Sequence, residues 1–367
     1  MNLGKTTHLN IDVKRGERHW LISPEQFESF AFEEGDELKV VPEAAAASLP
    51  VTWGDVSVPV SPGRAIRVPP VYRFAMFKGF EVPSHLVSLT GAGPDTLEAI
   101  GKQQIENYKK YVGLLPDMTI LDVGCGIGRA AFQLIDYLNE QGRYVGIDVT
   151  RDSIVWCQQN ITRRYPRFVF HHVDAVNELY NPFGSIQSTD VRIPIEGGTV
   201  DRIVLHSVFT HMLEDEVLHY LREFHRVLKP DGLVYASFFL YSAEALAAAE
   251  TQGNTSWKAT FSFDYGRGVY GNDPQYPRGA VAYTDFAMRR LVQQAGLQLA
   301  RPYLKGWWSG LYGEQAEDGQ DVAVLIRMGE TPSRGAGAGR TRDVARPQRR
   351  VLDGVIPSAD RRARPDE

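Results

Sequence analysis

The sequence predicts an α/β protein built around a mostly parallel sheet, and three observations predict it. Beyond residue 117, short apolar and β-branched runs alternate with helical stretches, as in strand–helix–strand units. The first run, Thr119 to Val123, leads into a glycine-rich loop, and the second, Tyr144 to Asp148, ends on an acid. Together these features favour a nucleotide-type ligand site at the carboxyl edge of the sheet.

The residues before this region are expected to form two parts. Residues 1–70 are predicted to be a small β-rich accessory module, because β-type runs are separated there by Gly, Pro and acidic residues. These runs are His8 to Val13, Arg18 to Ile22, Glu37 to Val41 and Asp55 to Val60. Residues 71–117 are predicted to be a connecting segment with an amphipathic helix from Asp95 to Gly113, since apolar residues recur there mostly at three- to four-residue steps.

Residues 118–330 are predicted to be the main domain. The turn expected at Pro230 to Gly232 leads into the fifth strand. Helices are expected near 128–140, 151–164, 214–227 and 284–295. The predicted strands are Thr119 to Val123, Tyr144 to Asp148, Phe168 to Val173, Asp201 to His206, Leu233 to Leu240, 297–305 and Asp321 to Arg327.

Residues 241–283 interrupt the alternation of strands and helices. They combine an Ala-rich start with aromatic residues among Gly, Asn and Pro, namely Trp257, Phe261, Phe263, Tyr265, Tyr270 and Tyr276. Because long connections in compact domains are usually functional or disordered, and a disordered linker should not carry so many aromatics, we interpret the insertion as a lid. The final segment, residues 331–367, has nine arginines, no lysine and no aromatic residue, and is predicted to be a disordered tail.

Composition narrows the classes of function. The hydrophobic fraction of 43% and the charged fraction of 23% are typical of a soluble protein. A net charge of -5 argues against a nucleic-acid partner held by bulk attraction. The two cysteines have neither zinc-site nor disulfide spacing, and no apolar run suits a signal peptide or a membrane span. We therefore expect a cytoplasmic protein without a metal site.

The loop after the first strand carries glycine at positions 124, 126 and 128. A backbone that turns sharply against a ligand has no room for a Cβ atom, and the following helix offers free N–H groups. The dinucleotide fingerprint requires its third glycine at position 129, where this chain has Arg129. The spacing thus disfavours a pyrophosphate site. Arg129 is interpreted either as a partner for a carboxylate or as a solvent-facing residue.

Acidic residues follow the next two strands. Asp148 closes the second strand, and its carboxylate can accept both hydroxyls of a ribose. Asp174 follows the third strand and can receive an exocyclic adenine amine. Because parallel strands meet at one edge, we expect these groups, with their neighbours Val149 and Ala175, to lie in one crevice.

Residues 119–240 resemble the class I methyltransferase domain, whose first motif is matched by Asp122 to Gly128. The runs Ser207 to Met212 and His225 to Gly232 resemble further family segments. The resemblance implies a Rossmann-like seven-stranded sheet with an antiparallel last strand and S-adenosylmethionine at the strand carboxyl ends. The cofactor-binding residues it implies are Asp122, Gly124, Cys125, Gly126, Gly128, Asp148, Val149, Asp174, Ala175 and His206. The pattern is similar to bacterial methyltransferases of glycan and secondary-metabolite pathways.

Methyl transfer to an alcohol requires removal of a proton, and a neutral imidazole can accept it. His206 and His211 flank the loop after the fourth strand, and His211 lies farther into it, where a substrate can reach. Both are candidate catalytic residues, with His211 preferred. His206 can instead bond within the core, and His211 can cap a helix. Cys125 is interpreted as a packed side chain rather than a nucleophile.

The sequence therefore predicts an S-adenosylmethionine-dependent methyltransferase that O-methylates a small-molecule or glycan-type acceptor. Two alternatives stay open: N-methylation of a small molecule and a non-catalytic nucleoside-binding scaffold. The glycine spacing disfavours a further alternative, an NAD-dependent oxidoreductase. The pairs of prolines that accompany amino-directed nucleic-acid methylation are absent after the fourth strand. The aromatic insertion and the run Gly306 to Gly310 are expected to contact the acceptor or to pack the lid.

Overall fold

A computed structural model of the chain describes residues 2–3, 10–22, 36–41, 49–53, 56–60, 66–67, 74–91, 93, 95–253 and 258–329. Two compact units are distinguished within these residues, one ending at His85 and the other beginning at Leu86. The predicted tail, residues 331–367, lies outside the described residues, as do parts of the predicted β runs and Trp257. No helix among the described residues has the length and apolar character needed to cross a bilayer.

The first unit consists of short antiparallel strands. Strand β2 pairs with both β3 and β4, and β4 pairs with β7. A second sheet has the order β1-β5-β6, and β8 pairs with β9. The strands are β1 (Asn2–Leu3), β2 (Asn10–Arg15), β3 (Arg18–Ile22), β4 (Glu37–Val41), β5 (Leu49–Trp53), β6 (Val56–Val60), β7 (Ile66–Arg67), β8 (Phe74–Phe77) and β9 (Phe80–Pro83).

The second unit holds a large, mostly parallel sheet, which suits the predicted α/β class. Its core is made by near-continuous apolar strands, as expected for strands covered on both faces. The strands are β10 (Thr119–Val123), β11 (Arg143–Asp148), β12 (Phe168–His172), β13 (Val200–Leu205), β14 (Leu228–Leu240), β15 (Phe263–Gly266), β16 (Val269–Gly271), β17 (Val281–Tyr283), β18 (Leu297–Leu299) and β19 (Asp321–Arg327).

The strand order brings the carboxyl ends of β10, β11 and β13 together. Strand β10 is central and pairs in parallel with β11 on one side and β13 on the other. Strand β12 continues beyond β11, and β14 beyond β13. Strand β19 runs antiparallel between β14 and β18. The sheet has ten described strands, more than the seven that the resemblance implies, because β15, β16 and β17 of the insertion extend it.

Seven helices accompany these strands in the described residues. They are α1 (Ser84–Ser88), α2 (Leu97–Val112), α3 (Arg129–Leu134), α4 (Arg151–Cys157), α5 (Glu214–Val227), α6 (Ala243–Gln252) and α7 (Asp285–Gln294). Helix α3 ends earlier than predicted, because the chain tightens into a turn in which the Tyr137 amide donates to the Leu134 carbonyl. Helix α4 continues as a π-helical turn over Gln158–Thr162.

Two local predictions are wrong. The segment predicted as a turn at Pro230 to Gly232 lies inside β14, where residues 229–232 bulge because Leu228 faces Val200 and Leu233 already faces Arg202. The strand predicted at 297–305 ends at Leu299, and only an isolated bridge at Leu304 follows. Pro302 interrupts it, since proline has no N–H for the ladder.

The insertion is ordered into α6 and the three strands β15 to β17. Strand β17 pairs in parallel with the last two residues of β14, Phe239 and Leu240. The pairing of β13 with β14 stops earlier, at Leu205 and Ala236. The insertion therefore joins the sheet just beyond the end of β13, where the loop carrying the two candidate histidines begins.

Candidate functional site

The glycine loop lies between β10 and α3 at the carboxyl edge of the sheet. Gly124, Gly126 and Gly128 all adopt positive φ, at 73°, 52° and 84°. Side chains at these positions would meet neighbours as well, since a Cβ on Gly124 would lie 2.4 Å from Val208 Cγ2. Glycine is therefore required here both for backbone conformation and for space.

Main-chain amides of the loop donate hydrogen bonds to acceptors within the protein. The amides of Gly124 and Cys125 both donate to the Ile147 carbonyl, and the Gly128 amide donates to the Cys125 carbonyl. The Gly126 amide donates to Asp148 Oδ2 over 2.6 Å. We expected main-chain amides to face a ligand, whereas the amides of Gly124, Cys125 and Gly126 hold the loop against β11 and that of Gly128 closes a turn within the loop. The loop thus offers a close-fitting surface on which these four amides are already paired.

Asp148 lies at the end of β11, directly beside the loop. Besides the Gly126 amide, its carboxylate accepts the Thr150 amide over 2.7 Å and the Thr150 hydroxyl over 2.6 Å. A carboxylate offers about four lone-pair sites, so roughly one is left for a ligand. The structure brings the predicted acid and the glycine loop together, and it leaves room for one further hydroxyl rather than the two expected.

The third predicted acid lies after β12. Asp174 Oδ1 accepts the side-chain amide of Asn181 over 3.0 Å. Partial burial acts to raise the pKa of Asp174, but hydrogen bonds from Asn181 and Ser185 outweigh it, so the pKa is lowered. The carboxylate is therefore ionised at neutral pH. Its neighbour Ala175 is buried, and Val149 is half-buried with its carbonyl bonded to His172.

Asp122 is the penultimate residue of β10, just before the loop. It is buried and accepts the Tyr144 hydroxyl over 2.6 Å. Burial raises the pKa of Asp122 to about 6, against the opposing effects of the Tyr144 bond and the Arg129 charge. Its contact is thus with the core side chain of Tyr144, and a direct bond to the cofactor stays a prediction.

The raised pKa of Asp122 makes the stability of the cofactor-free protein pH-dependent. Between its ordinary value of 3.8 and about 6 the folded carboxyl keeps a proton that the unfolded chain loses, so the unfolding free energy should fall as pH rises through this window. The loss attributable to Asp122 is roughly 3 kcal/mol, at about 1.36 kcal/mol per pH unit. Denaturant unfolding of the wild type and of Asp122→Asn between pH 4 and pH 7 measures it. Parallel stability curves for the two proteins would contradict the assignment.

Arg129 follows the loop and is only partly exposed. Its Nε donates to Gln104 Oε1 over 3.1 Å and its Nη1 to the Thr90 carbonyl over 3.3 Å, both neutral acceptors. Burial lowers the pKa of Arg129, an effect that Tyr108, Asp122 and Asp318 oppose. A guanidinium with neutral partners in such a place is suited to an anionic ligand group.

His206, the residue directly after β13, lies in the same region as Arg129. Its Nε2 lies 3.9 Å from Asp318 Oδ1, while its Nδ1 is buried without a hydrogen-bond partner. Burial lowers the pKa of His206, with Asp318 opposing and Arg129 reinforcing the effect. The Nε2 atom of Gln104, which bonds to Arg129 through Oε1, is likewise buried and unpaired. Unpaired buried polar atoms are costly, so a ligand carboxylate beside Arg129 would satisfy groups that the protein leaves open.

These residues fit S-adenosylmethionine. Asp148 retains an acceptor site for a ribose hydroxyl, and the three glycines allow close approach of the ligand to the backbone. Arg129, Gln104 and His206 would be the residues that hold a methionine carboxylate, because the Gln104 side-chain nitrogen and His206 Nδ1 are buried without a partner. The geometry is therefore consistent with the cofactor that the resemblance implies.

His211 lies at the end of a short 3-10 turn, Phe209–His211, after β13. Its Nδ1 is 2.9 Å from the main-chain carbonyl of Arg278 in the insertion. Because a carbonyl only accepts, Nδ1 must carry the proton, and the neutral ring then has its lone pair on Nε2. Burial lowers the pKa of His211, so the ring is neutral at physiological pH. The ring of Tyr180 packs edge-on at 5.9 Å.

The cysteines do not supply a reactive thiolate. Cys125 and Cys157 are both buried, and their thiols point to the Gly126 carbonyl at 3.7 and 3.8 Å. Burial raises the pKa of each thiol well above its ordinary value. Cys125 therefore packs behind the loop, as expected, and its contact is with protein.

Several residues of the site were not predicted. Thr150 had a local signal, since an Asp followed two residues later by Thr is typical of a turn in which the side chain bonds the backbone. Gln104, Tyr180, Arg278 and Asp318 had none, because each reaches the site from an element distant in sequence.

Comparison with known proteins agrees with this geometry. Residues 114–296 match the family model described as a methyltransferase domain. An arsenite methyltransferase of Aquipseudomonas alcaligenes is 26% identical over 186 residues, which are 51% of this chain and 49% of that protein. A tRNA N(3)-cytidine methyltransferase of Gallus gallus is 26% identical over 37% of this chain and 35% of its own length. This chain thus spans half or less of the curated relatives it matches.

A third relative, a phosphoethanolamine N-methyltransferase of Triticum aestivum, is 29% identical over 38% of this chain and 24% of its own length. Among solved structures, a SAM-dependent methyltransferase from Aquifex aeolicus is 18% identical with a TM-score of 0.39, covering 65% of this chain and 95% of that one. The match to the family model thus identifies residues 114–296 as a methyltransferase domain, with S-adenosylmethionine as its cofactor.

Proposed function

We propose that the protein transfers the methyl group of S-adenosylmethionine to a hydroxyl of a small-molecule or glycan-type acceptor. The observation that carries this proposal is the tautomer of His211, whose Nδ1 bonds the Arg278 carbonyl and leaves Nε2 as an acceptor. A hydroxyl requires a base when it attacks a methyl group, whereas a neutral amine does not. The cofactor, when bound, supplies an electrophilic methyl on a sulfonium.

We assign each residue of the site a role that its position supports. The glycine loop and Asp148 would hold the nucleoside, Asp174 would receive the adenine amine, and Arg129 would hold the methionine carboxylate with help from Gln104 and His206. His211 orients the acceptor hydroxyl and takes its proton at Nε2 as the oxygen–methyl bond forms and the sulfur–methyl bond breaks. Positioning supplies the rest of the rate enhancement, since the displacement requires the two reacting atoms in line.

The assignment of Asp148 to the ribose is tested by Asp148→Asn. We expect S-adenosylmethionine to bind about 1–3 kcal/mol more weakly, because a charge-assisted bond is lost and the new amide opposes the Gly126 N–H. Isothermal titration measures the affinity. Thr150→Val serves as the control, because it removes only the hydroxyl bond to Oδ1 and should cost less than about 1 kcal/mol. Unchanged affinity in Asp148→Asn would remove Asp148 from the site.

Aromatic residues on the acceptor side support a planar or sugar-like acceptor. Tyr241 follows β14 directly and stacks on Tyr270 of the insertion, with ring centroids 3.7 Å apart and planes at 5°. Phe239, Phe261 and Trp308 form a buried aromatic cluster behind them. Aromatic faces suit sugars and planar metabolites, and the stacked pair is half-buried at the edge where β14 ends.

The names of the relatives span an arsenite, a tRNA and a phosphoethanolamine acceptor, and the residues here do not favour the first. Arsenite is a soft, thiol-seeking acceptor that calls for thiolate ligands. This chain has two cysteines, both buried with raised pKa values. A nucleic-acid acceptor lacks support from bulk charge, which is -5.

The proposed function is tested by incubating the full chain with methyl-labelled S-adenosylmethionine and fractionated cell extract. A labelled product whose methyl group is on oxygen, identified by mass spectrometry, is the expected result. A labelled amine would favour the N-methyltransferase alternative instead. If the protein binds S-adenosylmethionine but no fraction gives a labelled product, the result would favour a non-catalytic scaffold.

A further inference from the structure

The insertion reaches the candidate base through the main chain around Arg278. Arg278 lies just before β17, and its main-chain carbonyl receives the bond from His211 Nδ1 at 2.9 Å. His211 and Arg278 are 67 residues apart in the chain. The ring of the candidate base is therefore oriented by a segment that belongs neither to its own loop nor to the parallel strands.

Two acids from different elements hold Arg278 in place. Its Nε donates to Glu216 Oε2 on α5 over 3.0 Å. Its amide donates to Glu178 Oε1 over 2.9 Å, and its Nη1 lies 3.6 Å from the same oxygen. Glu216 is itself buried and also accepts the Leu213 amide at the start of α5. Arg278 is thus fixed at both its backbone and its side chain.

The rest of the insertion adds a second attachment near the same loop. The Tyr283 hydroxyl on β17 donates to the Met212 carbonyl over 2.5 Å, one residue after His211. Tyr180, two residues after Glu178, packs its ring edge-on against His211. The ring of His211 is consequently bounded by the insertion, by the segment after β12 and by its own loop.

We propose that Arg278 is a positioning residue, whose clamp by Glu178 and Glu216 holds its carbonyl where it fixes the Nδ1–H form and orientation of His211. This inference rests on the proposed function, in which His211 Nε2 takes the acceptor proton. It gives the insertion a role beyond covering the site, because the base is correctly oriented only when the insertion is docked.

The clamp can be loosened without removing the carbonyl. Arg278→Ala keeps the main-chain acceptor but deletes the anchor to Glu216, and Glu178→Ala deletes the acceptor of the Arg278 amide at a partly exposed position. Arg278→Lys retains a cation for both acids and serves as the conservative variant. Arg267→Ala is the matched control, since Arg267 is another arginine of the insertion that pairs with an α5 acid, Glu214, at 3.3 Å.

The readout is the tautomer of His211, followed by nitrogen NMR of protein labelled at histidine and assigned with His211→Asn. In the wild type and in Arg267→Ala we expect a neutral ring with its proton on Nδ1 and a slowly exchanging N–H signal. In Arg278→Ala and Glu178→Ala we expect a mixture of the two tautomers and fast exchange, with partial recovery in Arg278→Lys. Methyl transfer should fall by about 10²-fold in Arg278→Ala, as for a misplaced catalytic group, while S-adenosylmethionine affinity stays unchanged.

Retention of the single Nδ1–H tautomer in both Arg278→Ala and Glu178→Ala would overturn the positioning role. Failure of the proposed function would give a different experimental result. Loss of the tautomer with undiminished methyl transfer would show that Arg278 does orient the ring but that His211 is not the base. Glu178→Ala keeps the test valid if Arg278→Ala does not fold.

Discussion

Methyl transfer by His211→Asn is expected to be about 10²–10⁴-fold slower than by the wild type, the usual contribution of a general base. Asn is chosen because its amide can still donate to the Arg278 carbonyl, so the loop should keep its conformation while the acceptor at Nε2 is lost. Affinity for S-adenosylmethionine should be unchanged. The rate is measured with methyl-labelled S-adenosylmethionine and the extract fraction that gives a labelled product with the wild type.

His206→Asn is the matched comparison, since the charge of Arg129 acts on His206, whereas His211 bonds to the insertion. We expect it to weaken S-adenosylmethionine binding with a smaller effect on the rate at saturating cofactor. The reverse pattern would transfer the role of base to His206. Equal rates for the wild type and His211→Asn would indicate an acceptor, such as a neutral amine, that needs no base.

The pH profile provides an independent check on His211. Burial lowers its pKa below the ordinary 6.5, so the neutral, proton-accepting form persists to more acidic pH than for a free histidine. The acidic limb of the rate profile should accordingly lie below pH 6.5. A limb well above that value would identify a different titrating group.

Gly124→Ala is expected to destabilise the protein by roughly 2–5 kcal/mol and to abolish measurable cofactor binding. A left-handed backbone costs an ordinary residue about 1–2 kcal/mol. Forcing a methyl into occupied space costs about 1–3 kcal/mol more. The new Cβ would lie 2.4 Å from Val208 Cγ2, on a β-branched side chain that has little freedom to move. Denaturant unfolding and isothermal titration measure the two effects.

Gly198→Ala separates the cost of the left-handed backbone from the cost of steric contact. Gly198 precedes β13 and has a similar φ of 69°, but a Cβ there would meet no atom within 4 Å. It should lose only the backbone part, about 1–2 kcal/mol, and bind S-adenosylmethionine normally. Equal losses of stability in the two variants would show that the close approach of Val208 to Gly124 is unimportant.

Much of the fold follows from local patterns. Strands β10 and β19 and helix α5 have the predicted bounds, because apolar runs and an amphipathic period specify them within a few residues of sequence. Pro230 to Gly232 shows the limit of such patterns. The three residues have the composition of a turn, yet the pairing of β13 with β14 continues past them and accommodates them as a bulge.

The resemblance to class I methyltransferases indicated the class of cofactor, and local sequence patterns predicted the strand, glycine loop and helix around Gly124 to Gly128 and the acid at Asp148. These depend on conformations that only glycine adopts easily and on the short reach between neighbouring strand ends. Three contacts could be known only from the folded chain: the Gly126 amide on Asp148, the Arg129 guanidinium on the neutral Gln104, and His211 on the Arg278 carbonyl. Those contacts join residues from 22 to 67 positions apart, and chain folding, rather than any local preference, sets such distances.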